Sequence, residues 1–128
     1  MFELKYEQKI NIGHFLSLDY DSLSSENHGH IVTINIECIS NRLNANNMII
    51  DTNLFKNYID KFDRRSFNNY MRTHNIAGNA TLENLLVLIK IKALNIITTE
   101  NNKYNTDVIL KRVSVKDEEG RTFIINYS

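Results

Sequence analysis

The 128-residue chain has no proline and a single cysteine, Cys38. One cysteine excludes an intrachain disulfide. Its place in an alternating apolar run marks a structural thiol suited to a reducing compartment, so a cytoplasmic protein is expected. Neither sign of charge is in excess, since 15 Lys and Arg meet 15 Asp and Glu. That balance argues against a nucleic-acid partner or an acidic membrane surface. Long hydrophobic runs are missing too. The longest apolar stretch, Leu85 to Ile97, is broken by Lys90, Lys92 and Asn95, so no membrane span is expected. The N-terminus alternates apolar and charged residues at once, and no signal peptide is expected there. The missing proline goes with an abundance of Asn, Ile and Lys, a bias of the source genome without functional meaning. A chain this long can bury a core, and one domain over residues 1–128 is expected.

What is present centres on Asn27-His28-Gly29-His30, which runs into Ile31 to Cys38. Val32, Ile34, Ile36 and Cys38 alternate with Thr33, Asn35 and Glu37, the period of a half-buried strand. Residues two apart share a face, so a strand starting at His28 puts both histidines on the apolar parity. Gly29 leaves the opposite face bare, open to close approach. Phe2 to Leu16 alternates in the same way, with Gln8 the one polar residue on the apolar parity, which His14 shares near the strand's end. Residues 17–27 are polar, without period, and read as a loop longer than a tight turn. Antiparallel pairing across that loop would gather His14, His28 and His30 at one end of the sheet, on one face.

Farther along, Asp51 or Thr52 can cap a helix from Asn53 to about Arg65, with Leu54, Phe55, Tyr58, Ile59 and Phe62 at helical spacing. Residues 66–79 are polar and read as irregular. Thr81 caps a second helix, Glu83 suits its first turn, and Leu82, Leu85, Leu86, Ile89, Ala93, Leu94 and Ile97 form its buried stripe. Residues 98–106 read as a polar turn. Val108, Leu110, Val113 and Val115 make a third strand whose shift of parity suggests a bulge. The turn Asp117-Glu118-Glu119-Gly120 leads to a fourth strand, Arg121 to Tyr127, completing a hairpin. The expected class is α+β: a four-stranded antiparallel sheet in ββααββ order, with two helices on one face.

Three neutral imidazoles with no fourth protein ligand are the donor set of a catalytic zinc site with one open position. The same spacing also fits three unrelated polar residues at a sheet edge. At this point the chain resembles the family of 6-pyruvoyltetrahydropterin and 6-carboxytetrahydropterin synthases. His28-Gly29-His30 looks like its HGH motif, and Gly13-His14-Phe15-Leu16 like the segment around its first histidine. Met48-Ile49-Ile50-Asp51 resembles its G-M-V-x-D segment, with Asn47 where glycine is usual. Phe62-Asp63 and Phe67-Asn68 resemble its D-H-x-x-L-N segment, and Thr81-Leu82-Glu83-Asn84 its T-x-E-N helix start.

The resemblance implies the tunnelling fold, or T-fold. It implies Zn2+ on His14, His28 and His30, polarising oxygens on a pterin side chain. A small-molecule pterin of the dihydroneopterin triphosphate kind is the implied substrate, in a queuosine-type or biopterin-type pathway. Three subunits joining sheets into a barrel, and two such rings stacked into a homohexamer, are the implied assembly. The family's pterin-anchoring glutamate corresponds to Asp117, or to Glu118 with a one-residue shift; a charged hairpin turn accounts for the same pair. Thr81 and Glu83 match residues lining the pocket, besides starting a helix.

The departures fall on the proton-transfer residues. Ser24 stands where the family has its cysteine, and a hydroxyl is far less acidic than a thiol. Asp63 matches the family's aspartate, but Arg64 replaces the partnering histidine and stays protonated. Glu26 lies in the same loop as Ser24, either as a substitute base or as a solvated carboxylate. Three readings follow: a zinc-dependent lyase with non-standard catalytic residues, a T-fold protein that binds pterins or purines without chemistry, and a paralogue in which Ser24 or Glu26 has a new role.

Overall fold

Strands β1 (Phe2–His14) and β2 (His28–Ser40) pair antiparallel along their whole length, with Leu4 opposite Cys38, Ile12 opposite His30 and His14 opposite His28. The structure, a computed structural model, describes residues 1–14 and 28–127, with His14 and His28 by their backbone alone. The alternation read from the sequence is the alternation of burial. Ile10, Ile12, Val32, Ile34, Ile36 and Cys38 are buried on one face, while Lys5, Glu7 and Lys9 are exposed on the other. Strands β3 (Ile109–Lys116) and β4 (Thr122–Asn126) complete an antiparallel sheet of order β1-β2-β3-β4. The expected bulge is present. Arg112 pairs with Glu37 and Leu110 with Cys38, leaving Lys111 as the extra residue and returning Val113 and Val115 to the core.

Among the described residues three helices cover the buried face, one more than the sequence reading expected. Helix α1 (Asn53–Ile59) begins where the Asp51 carboxylate accepts the Asn53 N–H at 2.9 Å. It is shorter than expected and tightens into a 3-10 turn, Asp60–Phe62, instead of running on to Arg65. Helix α2 (Phe67–Thr73) occupies the stretch expected to be irregular. Ser66 Oγ accepts the Asn69 N–H, and Phe67 and Met71 are buried one turn apart. His74, expected in a loop, ends this helix with its ring stacked on Tyr70 at 4.0 Å. Helix α3 (Leu82–Tyr104) starts on the Thr81 cap as expected but runs through residues 98–104, where a turn was expected. It ends on Asn105, in the left-handed region at φ 53°. The side chain of Asn101 then binds both the N–H and the carbonyl of Val108, docking the exit of α3 onto the start of the third strand.

Left-handed backbone occurs at Asn47, Arg64, Asn75 and Asn105 besides Gly78 and Gly120. Asparagine tolerates that region well, so Asn47 supplies the conformation for which its motif otherwise uses glycine. Cys38 is buried in the sheet, and burial, reinforced by the charge of Glu37, pushes its thiol up to about 12. The thiol is therefore structural, as its parity implied.

Candidate functional site

The register settles the placement of the three histidine positions. Position 14 lies directly across from 28, and 30 lies two pairs farther along, beyond the Gly13–Gly29 pair and opposite the buried Ile12. Directly opposed residues share a face, with Cβ atoms about 4.5–5.5 Å apart in general. The three positions therefore stand together on the helix-covered side, at the end of the β1–β2 ladder. The side chains of His14 and His28 lie outside the described residues, as do Ser24 and Glu26 entirely. Among the described residues, no three His, Cys, Asp or Glu side chains cluster as a cation site. Gly29 is less open than its missing side chain suggests, because Asn11 Oδ1 would stand 2.6 Å from a β-carbon built there.

Asp63 and Arg64 reach the same end of the sheet from the other side. The Asn11 N–H donates to Asp63 Oδ1 at 2.8 Å, and the Arg64 N–H donates to the Asn11 carbonyl at 2.5 Å. The Gly13 N–H donates to the Arg65 carbonyl at 2.9 Å, and Gly13 bridges to Ser66. The segment from Asp63 to Ser66 is thus laced along the outer edge of β1, immediately before His14. Phe62, fully buried, anchors its start. Arg64 adopts φ 57°, a conformation that costs a non-glycine residue about 1–3 kcal/mol and persists only where its surroundings impose it. The sequence reading did not single out Asn11. It lies on the solvent parity, where nothing separates it from an ordinary exposed residue.

The two carboxylates offered for the pterin anchor part company. Asp117 is buried and already occupied. Its Oδ1 accepts the N–H groups of Glu119 and Arg121, and its Oδ2 accepts Arg121 Nε at 2.6 Å. Burial alone would raise this carboxyl, but the Arg121 hydrogen bonds and charge outweigh it and hold the group below its usual range. Glu118 points back to the histidine strand. Its Oε1 accepts the Ile31 N–H at 3.1 Å and lies 3.8 Å from His30 Nδ1. The β2–β3 ladder begins only at Thr33, so Glu118 supplies the acceptor that β3 does not reach far enough to provide. Both carboxylates border an open groove of about 450 Å³ on the outer face of the sheet, with Glu7, Lys9, Ile31, Thr33, Asn35 and Lys116. Thr81 caps α3, and neither it nor Glu83 is among the described residues lining that groove.

The model of the 6-pyruvoyl tetrahydropterin synthase family matches residues 3–127. The chain belongs to this family. Among solved structures, that of 6-pyruvoyl tetrahydropterin synthase from Caenorhabditis elegans superposes with a TM-score of 0.67 at 14% identity, covering 99% of this chain and 96% of that one. At such identity the likeness establishes the fold, and the fold is the one the motifs implied. No curated protein matches the chain. Tetrahydropterin synthase-like architecture is thus joined to an arginine at position 64, on a segment bound to the edge of β1. None of the helices among the described residues is long and apolar enough to cross a membrane.

Proposed function

We propose that this chain is a tetrahydropterin synthase-like protein that holds zinc on His14, His28 and His30 and takes a reduced pterin of the dihydroneopterin triphosphate type. The observation that carries this reading is the strand register, which brings three histidine positions together on two paired strands. The donor set fits the metal, since three imidazoles leave one coordination position for a ligand. Zinc bound there would polarise oxygens of the pterin side chain.

The chain's own residues supply the rest. Glu118, with Oε1 3.8 Å from His30 Nδ1, places a negative charge beside a ligand imidazole, which favours a cation bound there. With Asp117 committed to Arg121, Glu118 is also the carboxylate with capacity left for the N–H edge of a pterin. Asp63 gives one oxygen to the Asn11 N–H, and Arg64 cannot release a proton at neutral pH. The cysteine-based route is therefore absent. The chemistry is either altered or, as Ser24 and Arg64 favour in a second reading, given up for binding alone.

Purified protein loaded with zinc and dialysed against metal-free buffer should keep one zinc per chain and quench the fluorescence of added pterin. His30→Ala should lose both. Wild-type protein that keeps no zinc and binds no pterin would overturn the reading.

The sheet edges bear on assembly. The Asp63–Ser66 segment covers β1 only around residues 11–13, and no described strand pairs with the outer edge of β4. Exposed edges invite pairing with other chains. Light scattering at micromolar concentration is expected to give a hexamer, and a monomeric mass would contradict this.

A further inference from the structure

We propose that Arg64 is an anion-holding, specificity-determining residue: the ligand of this site carries a carboxylate or phosphate where it meets the outer edge of β1. The proposal rests on the pterin reading above and adds the residue that reads the charge of the ligand.

Four observations support it. The backbone at position 64 is held on both sides, by Asp63 Oδ1 on the Asn11 N–H and by the Arg65 carbonyl on the Gly13 N–H, with the Arg64 N–H itself on the Asn11 carbonyl. Its guanidinium thus springs from a clamped point and not from a loose loop, so less freedom is lost when it binds. That point lies on the edge of β1 between Asn11, which it bonds, and Gly13, which bridges to Ser66, so it is within three residues of His14 along the strand. Arg64 and Arg65 are both exposed, and among the described residues no carboxylate lies within ion-pairing distance of either. The nearest acid in sequence, Asp63, is turned to the Asn11 N–H. Finally, Arg64 holds a left-handed conformation that disfavours arginine and suits asparagine or histidine, so the side chain is present despite the backbone. A planar guanidinium suits the two oxygens of a carboxylate or phosphate, which it can hold bidentately. A residue that cannot move a proton can still select charge.

The test uses three oxidised, fluorescent probes: pterin, 6-carboxypterin and neopterin phosphate. Wild-type protein should bind one or both anionic probes at least about 10-fold more tightly than pterin, in keeping with hydrogen bonds to charged groups. Which probe gains identifies the oxyanion. Arg64→Gln should bring the anionic probes down to the affinity of pterin, and Arg64→Lys, which keeps the charge but loses the fork, should fall between. Equal wild-type affinities for all three probes would overturn the inference while leaving the pterin reading intact. So would a preference that survives in Arg64→Gln. Wild-type protein that binds none of the three would defeat the pterin reading and this one with it. If Arg64→Gln fails to fold, Arg64→Lys carries the comparison, and an anion preference that it keeps at full wild-type strength would overturn the inference.

Discussion

Replacing Ser24 with cysteine and Arg64 with histidine in one chain is expected to raise turnover of a reduced pterin by about 10²- to 10⁴-fold, the usual contribution of a positioned acid–base pair. Neither substitution alone should achieve this. Cysteine supplies a thiol that can ionise near neutrality, and histidine beside Asp63 supplies a group that can pass the proton on. Position 64 is prepared for the change, since histidine is among the residues that accept the φ of 57° found there. The same double variant should lose affinity for an anionic ligand, because it removes the guanidinium. Steady-state rates with single and double variants check the first expectation. Brisk wild-type turnover that Ser24→Ala leaves intact would count against it and turn attention to Glu26.

Phe62→Ala should destabilise the protein by about 3–5 kcal/mol, a large share of the roughly 5–15 kcal/mol typical of a native domain. Phe62 is fully buried, and its ring meets Tyr58 and Phe67 edge-on at centroid distances of 5.3 and 5.9 Å and Tyr70 at 4.6 Å. It joins the 3-10 turn to α2 and anchors the chain just before Asp63. Its loss should therefore also release the segment laced to β1. Urea unfolding measures the stability. Amide hydrogen exchange measures the release, since the Asn11 and Gly13 N–H groups donate to Asp63 Oδ1 and the Arg65 carbonyl and should lose protection before Ile34 does. A loss below about 1 kcal/mol would show that the cluster repacks around the gap.

How legible the molecule was in its sequence follows from how local each determinant is. Period-two alternation is written into β1 and β2, so their pairing, and with it the histidine positions, could be read directly. Helix α2 could not be, although its marks are there: Ser66 is a cap, and Phe67, Tyr70 and Met71 fall at helical spacing. They are diluted by asparagines that also suit loops, and tertiary burial of Phe67 and Met71 decides the outcome. Helix α3 outran its expected end because its last turns are polar. Its true end is set by Asn105, and by Asn101 reaching Val108 seven residues away. At the site, motifs named the histidines, Asp63 and Arg64. The lacing of Asp63 to Asn11 spans 52 positions in sequence, and no local pattern records it. The division of labour between Asp117 and Glu118 likewise appears only when the hairpin is folded and Arg121 comes round to meet Asp117.

The left-handed asparagines have a consequence at the level of nucleotides. Glycine is written with two guanines and proline with two cytosines, whereas asparagine, lysine and isoleucine have codons rich in adenine and thymine. A gene drifting toward those bases loses its cheapest words for a reversal of the chain. Asn47, Asn75 and Asn105 take the left-handed turns here. The backbone asks only for an angle, and asparagine meets it at small cost. A pattern keyed to the letter glycine misses a turn that asparagine makes, whereas the angle itself is read from the backbone. Relatives in similarly biased genomes are then better sought by where the chain turns left-handed than by the residue that turns it.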